Sequence, residues 1–481
     1  MPLILGTNSI KDTGYDVANS CRFDGTSAYL HKATSSGNNT KYTFSAWIKR
    51  SSSGSQYPRI FGSHTNAGSY VRLNFNRAAD GEQFHLYHET SGGASTLLTN
   101  RLFRDPTAWM HILVAVDSTD GTANDRMKIY INGVQETSFA TRSNPSQNAD
   151  MCINNSSSTL TVGKKEFPAE TSDFFDGYMA EVHYIDGTAY APTDFGEFDD
   201  SGIWKPIEVS GISYGTNGFY LDFEDSANLG NDANGGTDLT EVNLTAADQT
   251  PDTCTNNFAT LNPLGFAGTI PTFSQGNLNV VVGSGASLYS VPTIGVSSGK
   301  WYVEGELEAA TADGGTYYVD YGFHDRADVR GQSFYVSDGR MFWLSSWDGK
   351  INYRTGGSTT TGLVTGLATL TPGDFFQLYL DMDNELMYWG KNGSLLNTTG
   401  VSFNGKESLT GEYFFAFGDQ YANGTTEYAL NFGQGSIDGN AVSNFQDANG
   451  FGNFKYNPTV TTDEGSKDFL ALCTKNLAEY G

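Results

Sequence analysis

Met127-Lys-Ile-Tyr-Ile-Asn-Gly-Val-Gln135 is the stretch that decides the fold. Apolar and polar side chains alternate from Met127 to Ile131, and this period of two predicts a half-buried β-strand. Asn132-Gly133 follows at once, and an Asn-Gly pair supplies the two positive-φ residues that a tight hairpin turn requires. The same pattern returns at Glu385-Leu-Met-Tyr-Trp-Gly-Lys-Asn-Gly-Ser394. Two such hairpins, far apart in the chain, predict two separate β-domains.

The composition agrees with a β-protein of more than one domain. The chain has 481 residues, which is too long for a single hydrophobic core. Glycine contributes 56 residues and aromatic residues 13%. Together with abundant Ser, Thr and Asn, these numbers favour short strands joined by turns over helices.

The charge of the chain limits its partners. Lys and Arg total 28 and Asp and Glu total 54, which gives a net charge of −26. Such a field repels phosphate backbones and anionic headgroups, so we expect neither nucleic acid nor membrane insertion. Met1 to Asn8 lacks the basic and apolar regions of a signal peptide, so we expect synthesis in a cytoplasm.

The cysteines indicate neither a disulfide scaffold nor a zinc site. The four residues lie far apart and show no paired spacing. We therefore expect free thiols at Cys21, Cys152, Cys254 and Cys473.

A series of short strands, with turn residues between them, fills the first part of the chain and predicts an antiparallel sandwich. Its motifs, in order, are Phe23-Asp-Gly, Phe44-Ser-Ala-Trp-Ile, Ile60-Phe-Gly-Ser, Trp109-Met-His-Ile-Leu-Val, Ile129-Tyr-Ile-Asn-Gly, Leu160-Thr-Val-Gly and Phe175-Asp-Gly-Tyr-Met-Ala-Glu-Val. This order resembles the laminin-G-like, concanavalin-A-like jelly-roll family. The resemblance implies a β-sandwich over residues 1–195.

A second set of motifs lies in the latter half of the chain: Lys300-Trp-Tyr-Val-Glu, Leu380-Asp-Met-Asp-Asn, Lys391-Asn-Gly and Asn431-Phe-Gly-Gln. These resemble the SPRY family, another two-sheet sandwich, and place it at 271–436. Residues 196–270 are rich in Gly, Asn and Asp and predict a connector with short strands. Residues 437–481 form a C-terminal docking tail whose apolar end should be buried. The predicted fold class is therefore all-β, with two antiparallel jelly-roll β-sandwich domains joined by an irregular connector.

The whole order of motifs, with Ile203-Trp-Lys-Pro and Tyr214-Gly-Thr-Asn-Gly-Phe-Tyr-Leu included, resembles laminin-G/SPRY virion or appendage proteins of marine bacteriophages. That resemblance implies a virion surface location, synthesis in the host cytoplasm, and other virion proteins of the capsid or tail as partners. It also implies a homo-oligomer or multivalent display. The expected function is a non-enzymatic tail fibre or appendage adhesin whose lectin-like domains contact host-surface glycans. The alternatives are a capsid decoration or head-fibre protein and a polysaccharide hydrolase.

The hydrolase alternative depends on Glu304, Glu306 and Glu308, which alternate along a predicted strand and share one face. Retaining glycosidases need two carboxyl groups about 5 Å apart. The competing interpretation is a strand with its polar face in solvent. Because the sequence contains no sound pair of nucleophile and base, we assign no catalytic residue.

Aromatic residues among turns are the candidate glycan site. Phe342 to Tyr353 contains two tryptophans and a tyrosine that could stack on sugar rings, with Asn and Asp as hydrogen-bond acceptors. The competing interpretation is that the tryptophans fill a core or an interface. The candidate glycan-binding residues are Trp343, Trp347 and Tyr353.

Calcium is the one cofactor that the sequence leaves open. Asp381-Met-Asp-Asn-Glu385 has the spacing of a calcium loop, but Leu386 stands where an EF-hand needs glycine, so an acidic hairpin turn is preferred. The laminin-G resemblance implies that calcium could bind at a sandwich edge, although Asp-Gly pairs suit turns equally well. The candidate ligands are Asp24, Asp176 and Asp186.

Overall fold

The structure is a computed structural model that divides into two units, here called the first unit (through Thr255) and the second unit (from Asn256). Within the described ranges, no helix has the length and apolarity that crossing a membrane requires. The structure describes residues 14–51, 57–66, 68–76, 80–90, 93–165, 172–264, 271–282, 289–313, 316–325, 340–355, 358–406, 411–419 and 424–481.

The first unit is a sandwich of two antiparallel sheets. Sheet A has the order β10-β9-β8-β3-β13-β1-β18, with β16 beside β13, and sheet B has the order β11-β7-β6-β5-β4-β12-β2-β17. A separate pair joins β14 and β15. The strands are β1 (Ser20–Asp24), β2 (Tyr29–Ala33), β3 (Lys41–Arg50), β4 (Arg59–Asn66), β5 (Ser69–Phe75), β6 (Gln83–Glu89), β7 (Ser95–Leu102), β8 (Met110–Asp117), β9 (Met127–Ile131), β10 (Val134–Gln135), β11 (Phe139–Ser143), β12 (Thr159–Val162), β13 (Asp176–Asp186), β14 (Gly196–Phe198), β15 (Trp204–Pro206), β16 (Phe219–Leu221), β17 (Thr240–Val242) and β18 (Gln249–Thr250).

The predicted hairpin is confirmed. Met127, Ile129 and Ile131 are buried in the core between the sheets, while the residues between them are half-buried. Asn132 and Gly133 have φ values of 49° and 74°, as the turn requires. The Asn132 side chain also accepts a hydrogen bond of 2.7 Å from the backbone N–H of His111 on the adjacent strand β8. The turn is therefore tied to the sheet as well as to itself.

Parts of residues 187–255, among them Phe195, Trp204 and Tyr214, cover the outer face of sheet A, the face turned away from the core, while β16, β17 and β18 of the same stretch extend the two sheets. Trp204 packs there with Trp47 and Trp109. Asp252 accepts hydrogen bonds from Lys49 Nζ at 2.7 Å and Trp109 Nε1 at 3.0 Å. The composition of 196–270 predicts a connector, but as far as Thr255 this segment is packed on the first sandwich. Its polar composition hides this role because its few apolar side chains follow no period.

The second unit is also built on two sheets. Sheet C has the order β19-β20-β34-β22-β29-β30-β31, with β32 beside β30 and β39 beside β22, and sheet D has the order β21-β33-β25-β26-β27-β28. The elements are β19 (Thr272–Ser274), β20 (Asn279–Val282), β21 (Tyr289–Ser290), β22 (Lys300–Ala310), β23 (Ala312–Asp313), β24 (Thr316–Tyr317), β25 (Val319–His324), β26 (Met341–Ser345), β27 (Lys350–Thr355), β28 (Ser358–Val364), β29 (Phe375–Asp381), β30 (Leu386–Lys391), β31 (Ser394–Leu395), β32 (Val401–Ser402), β33 (Phe414–Asp419), β34 (Thr426–Asn431), β35 (Ser436–Ile437), β36 (Asn440–Ala441), β37 (Thr459–Thr462), β38 (Gly465–Asp468), β39 (Leu470–Ala471) and helix α1 (Thr474–Tyr480).

The C-terminal tail covers the outer face of sheet C. Phe454 and Phe469 pack edge-on against Tyr302 and Tyr379, with ring centroids 5.0 and 5.1 Å apart. Strand β39 adds to β22 in parallel, which confirms that the apolar end of the tail is buried. Asn392 and Gly393 repeat the positive-φ turn of the first unit, at 49° and 83°. The four cysteines are free and buried, as the sequence predicts.

Replacing Gly133 by alanine should destabilise the first unit. The residue has φ +74°, and an added Cβ would lie 2.3 Å from an atom of the Trp204 ring. We expect a loss of about 1–3 kcal/mol, because a side chain at this φ is strained and Trp204 must also move. Urea unfolding measures the loss. Gly121→Ala is the matched control, since no atom lies within 4 Å of its added Cβ; equal stability of the two variants would contradict the packing described.

Candidate functional site

The two sheets of the first unit differ in what their outer faces meet. The outer face of sheet A is covered by parts of residues 187–255, whereas the outer face of sheet B stays partly exposed among the described residues. Strand β6 shows this in its pattern, since Phe84, Leu86 and His88 are buried and the residues between them are half-buried. A functional surface on this unit is therefore to be sought on sheet B.

One row of residues crosses the outer face of sheet B from edge to edge. Its members lie directly opposite one another on eight neighbouring strands, so they share one face. With strands about 4.8 Å apart, the row is roughly 34 Å long. It consists of Thr240, His31, Thr161, Gly62, Arg72, Tyr87, Thr96 and Ser143.

Tyr70, Arg72 and Tyr87 form what we call the aromatic ridge of this face. The two tyrosine rings are stacked, with centroids 5.8 Å apart and planes at 27°. The Arg72 guanidinium lies 4.3 Å from the centroid of Tyr87 and 6.0 Å from that of Tyr70. Glu89 accepts a hydrogen bond from the Tyr87 hydroxyl. The ridge is thus a semi-rigid aromatic platform with a cation on it.

A cleft of about 670 Å³ begins one residue beyond Tyr70 and Glu89. Its size lies within the range of ligand pockets, roughly 300–1,000 Å³. Small polar side chains dominate the lining, and they offer hydroxyl, amide and carboxylate groups to a hydroxylated ligand. The cleft is lined by Asn66, Gly68, Ser69, Thr90, Gly93, Ala94, Ser95, Ser143, Asn144, Pro145, Ser146, Ala149, Asp150 and Cys152.

His85, beside the ridge, is held in its neutral form. Its Nε2 lies 2.8 Å from Thr96 Oγ1. Burial, with the charges of Arg72 and Arg59 adding to it, lowers the pKa of His85 to about 3. Near neutral pH this histidine therefore serves as a hydrogen-bonding group, and the fixed charge beside it belongs to Arg72.

The structure does not bring the predicted glycan-binding residues together. Trp343 is 1% exposed, and Tyr353 is 7% exposed and stacks on Phe342 at 4.5 Å. Because Trp343 is opposite Asn352 in the sheet, Tyr353 lies on the other face. The prediction of sugar stacking by Trp343 and Tyr353 is wrong, since buried rings cannot reach a ligand. Trp347 is 47% exposed and stays a prediction.

The three aspartates proposed for calcium do not form one site. Asp24 accepts hydrogen bonds from the backbone N–H groups of residues 26–28. Asp176 and Asp186 begin and end the 11-residue strand β13, so about 30 Å separates them. Asp186 is already bound by three asparagines of its own unit: Asn38, Asn154 and Asn217. Among the described residues, no group of three or more His, Cys, Asp or Glu is placed to hold a metal.

Glu304 is buried rather than solvent-facing, because the C-terminal tail covers it. Tyr302 Oη and Asn431 Nδ2 donate to its carboxylate at 2.9 and 2.8 Å, and the backbone N–H groups of Lys455 and Tyr456 donate at 2.7 and 3.0 Å. The prediction of a polar face in solvent is therefore wrong for this residue. With four donors on two oxygens, the carboxylate holds the tail and has no free position for attack on a substrate.

Glu181 marks a second buried polar cluster, which the sequence pattern does not reveal. It has φ +50° at a bulge in β13, where the pairing with β3 shifts register. Tyr220 and Tyr15 donate to its carboxylate at 2.9 and 3.3 Å. Two residues on, His183 lies flat against Tyr220, with ring centroids 4.3 Å apart. The cluster forms because residues that are far apart in the sequence pack together, and no local motif encodes it.

Comparison with known proteins agrees with this architecture. Residues 24–191 match the laminin G family model described as the concanavalin A-like lectin/glucanases superfamily. No curated protein is similar enough in sequence to count as a match.

Several solved structures are similar to this chain at low identity. The SPRY domain of human HERC1 is 20% identical, covers 32% of this chain and 87% of its own, and has a TM-score of 0.25. The SAP-like pentraxin of Limulus polyphemus is 16% identical, covers 37% and 80%, and has a TM-score of 0.28. Mouse laminin α1 domains LG4-5 are 11% identical, cover 92% and 88%, and have a TM-score of 0.29.

The architecture is thus all-β, with antiparallel jelly-roll sandwiches, and residues 24–191 of the first unit resemble concanavalin A-like lectin domains. Domains of this type are typically binding modules. The sequence resemblance to the laminin-G-like family is confirmed for the first unit, and a SPRY domain is among the structural neighbours.

We expect thermal stability to be greatest near pH 6.5. Burial raises the pKa of Glu181 and Glu304 to about 7, and burial with the Asp438 charge raises that of Glu308 to about 8. These groups hold protons more tightly in the folded chain than in the unfolded chain, so their stabilisation is lost as pH rises from about 4.5 to 7–8. Burial lowers the pKa of four histidines to about 3, so stability is lost as pH falls below 6.5: His85, His88, His111 and His183.

Melting curves between pH 5 and 8 measure this profile. Glu181→Gln should flatten its alkaline side, because one of the three raised carboxyls is then absent. A melting temperature that climbs steadily up to pH 8 would contradict the assignment.

Proposed function

We propose that this protein is a non-enzymatic virion surface protein of a marine bacteriophage, a tail-fibre or appendage adhesin that contacts host-surface glycans. The observation that supports glycan binding is the accessible outer face of sheet B, with its aromatic ridge beside a polar cleft. The order of motifs along the whole chain supports the phage context. Synthesis in the host cytoplasm and assembly with capsid or tail proteins belong to the same proposal.

The chemistry of this face suits a sugar chain. Hydroxyl groups of a glycan exchange hydrogen bonds with the Ser, Thr and Asn side chains of the cleft. The apolar C–H faces of a sugar ring pack on the tyrosine rings of the ridge. A row of roughly 34 Å across eight strands has room for several linked sugars, not for one alone.

A shallow face of this kind binds weakly at each site. Many copies on one particle compensate, because each further contact is made at a high effective concentration. A homo-oligomer or multivalent display is therefore part of the proposed function.

The arrangement of Glu304 favours binding over hydrolysis. A retaining hydrolase needs one carboxylate free to attack the sugar and a second to protonate the leaving group. Glu304 instead carries four hydrogen bonds that fasten the tail to sheet C. Glu304, the most buried acidic residue of strand β22, thus has a structural role.

Tyr87→Ala should weaken binding to host glycans. The substitution removes the ring that supports both Tyr70 and Arg72, and one lost stacking contact is worth about 0.5–1.5 kcal/mol, or roughly three- to tenfold per site. Glycan arrays and sedimentation with host envelopes measure the change. Tyr480→Ala, at a partly exposed tyrosine of the second unit, is the control and should bind like the parent.

Two results would overturn the adhesin proposal. Failure of the oligomeric or surface-displayed protein to bind any host envelope would favour the capsid decoration or head-fibre alternative. Release of oligosaccharides by the parent chain, and its loss in Glu306→Gln, would instead establish a hydrolase.

Glycan binding is expected to survive removal of calcium. Asp24 and Asp186 already accept hydrogen bonds from their own unit, so the face of sheet B does not depend on an ion they hold. Binding measured in EDTA should equal binding in millimolar calcium. A loss in EDTA that calcium restores would show a metal site among these or other residues.

A further inference from the structure

Arg72 has neither a carboxylate nor a carbonyl partner among the described residues, whereas Arg126 and Arg142 of the same unit, which also lack an ion pair, donate to oxygens of their own unit. Arg22 is paired with Asp248 at 3.0 Å, and Arg59 with Asp173 at 3.5 Å. Within the described ranges, Arg72 makes no hydrogen bond and no ion pair, and its Nε is buried without a partner. An arginine side chain that is half-buried normally has its donors satisfied.

The position of Arg72 is nevertheless fixed. Tyr87 supports its guanidinium on one side at 4.3 Å, and Tyr70 adds a second ring at 6.0 Å. On the strand at its other side the directly opposite residue is Gly62, which has no side chain to pair with it. The guanidinium is therefore held near the middle of the row with unused donors.

The positive charge of Arg72 affects the pKa of a neighbouring histidine. It contributes to lowering the pKa of His85 to about 3, after the larger effect of burial. The carboxylate of Glu89, which borders the ridge, accepts a hydrogen bond from the Tyr87 hydroxyl and forms no ion pair with Arg72. The face thus carries a positive group whose charge no described carboxylate contacts.

We infer that the glycans bound by sheet B are acidic, and that Arg72 holds an oxyanion of the sugar chain. The anion is either the carboxylate of a uronic acid or a sulfate ester, both of which match the planar fork of a guanidinium. This inference rests on the proposed glycan-binding function and names its ligand class. Tyr87 and Tyr70 would hold the adjoining sugar rings.

Long-range attraction does not explain such a preference. The chain has a net charge of −26, which repels an acidic polymer at a distance. A short-range bidentate contact can still select the anion once the sugar is on the face. Salt screens the repulsion, with a Debye length of about 8 Å at 0.15 M, so binding should persist at high ionic strength.

The test uses the full chain and three polysaccharides: polygalacturonate, a sulfated galactan and neutral galactan. We expect the parent to bind at least one acidic polymer more tightly than the neutral one. Arg72→Gln should lose roughly tenfold or more on the acidic polymer and little on the neutral one. Arg104→Gln, at an exposed arginine of the same unit, should change neither.

Arg72→Lys keeps the charge and most of the stem but lacks the fork, so an intermediate loss on the acidic polymer is expected. If Arg72→Gln has a much lower melting temperature than the parent, Arg72→Lys replaces it as the test variant. Tighter binding of polygalacturonate identifies the anion as a carboxylate, and tighter binding of the sulfated galactan identifies it as a sulfate ester. Equal binding of acidic and neutral polymers, or equal losses on both in Arg72→Gln, overturns this inference while glycan binding stands. Absence of binding to every glycan by the parent overturns the proposed function itself.

Discussion

Each sandwich depends on having its hairpin sheet covered on both faces. Sheet A carries Trp47 and Trp109 on the face away from its core, and sheet C carries Tyr302 and Tyr379 there. Large aromatic rings cannot remain in water without a substantial hydrophobic cost. In both units the chain that follows the sandwich returns to cover them, with an aromatic residue placed over the glycine of the Asn-Gly turn. The turn glycine is thus required twice, by its positive φ and by the ring above it.

This cover decides where function can lie. Parts of residues 187–255 lie on the outer face of sheet A. The outer face of sheet B is therefore the sheet face of the first unit that its described residues leave partly exposed to solvent. Its alternating strands place half-buried Thr, His, Arg and Tyr side chains in register, because cross-strand neighbours share a face. The proposed glycan site and its cationic group therefore depend on strand pairing across the whole sheet, not on any contiguous motif.

Part of the fold was predictable from local pattern alone. The alternation at Met127–Ile131 and the Asn-Gly turns at 132–133 and 392–393 hold because period and φ are local properties. The candidate site was not predictable in the same way. Trp343 and Tyr353 have the residue types of a sugar site, yet they face buried layers on opposite sides of sheet D. Arg72 and Tyr87 lie inside ordinary strands, where sequence shows the alternation but not the partner across the sheet.

Residue period, turn chemistry and motif order are local properties, and they suffice to predict the all-β class, the two hairpins, the free cysteines and the laminin-G-like resemblance of the first sandwich. Three features depend on contacts between distant segments: parts of residues 187–255 cover sheet A, Glu304 anchors the tail, and Arg72 has no ion pair with a described residue. The physical reason is burial: whether a polar or aromatic side chain meets water, a ring or a hydrogen-bond donor depends on chain segments that may be more than a hundred residues away, as Lys455 is from Glu304.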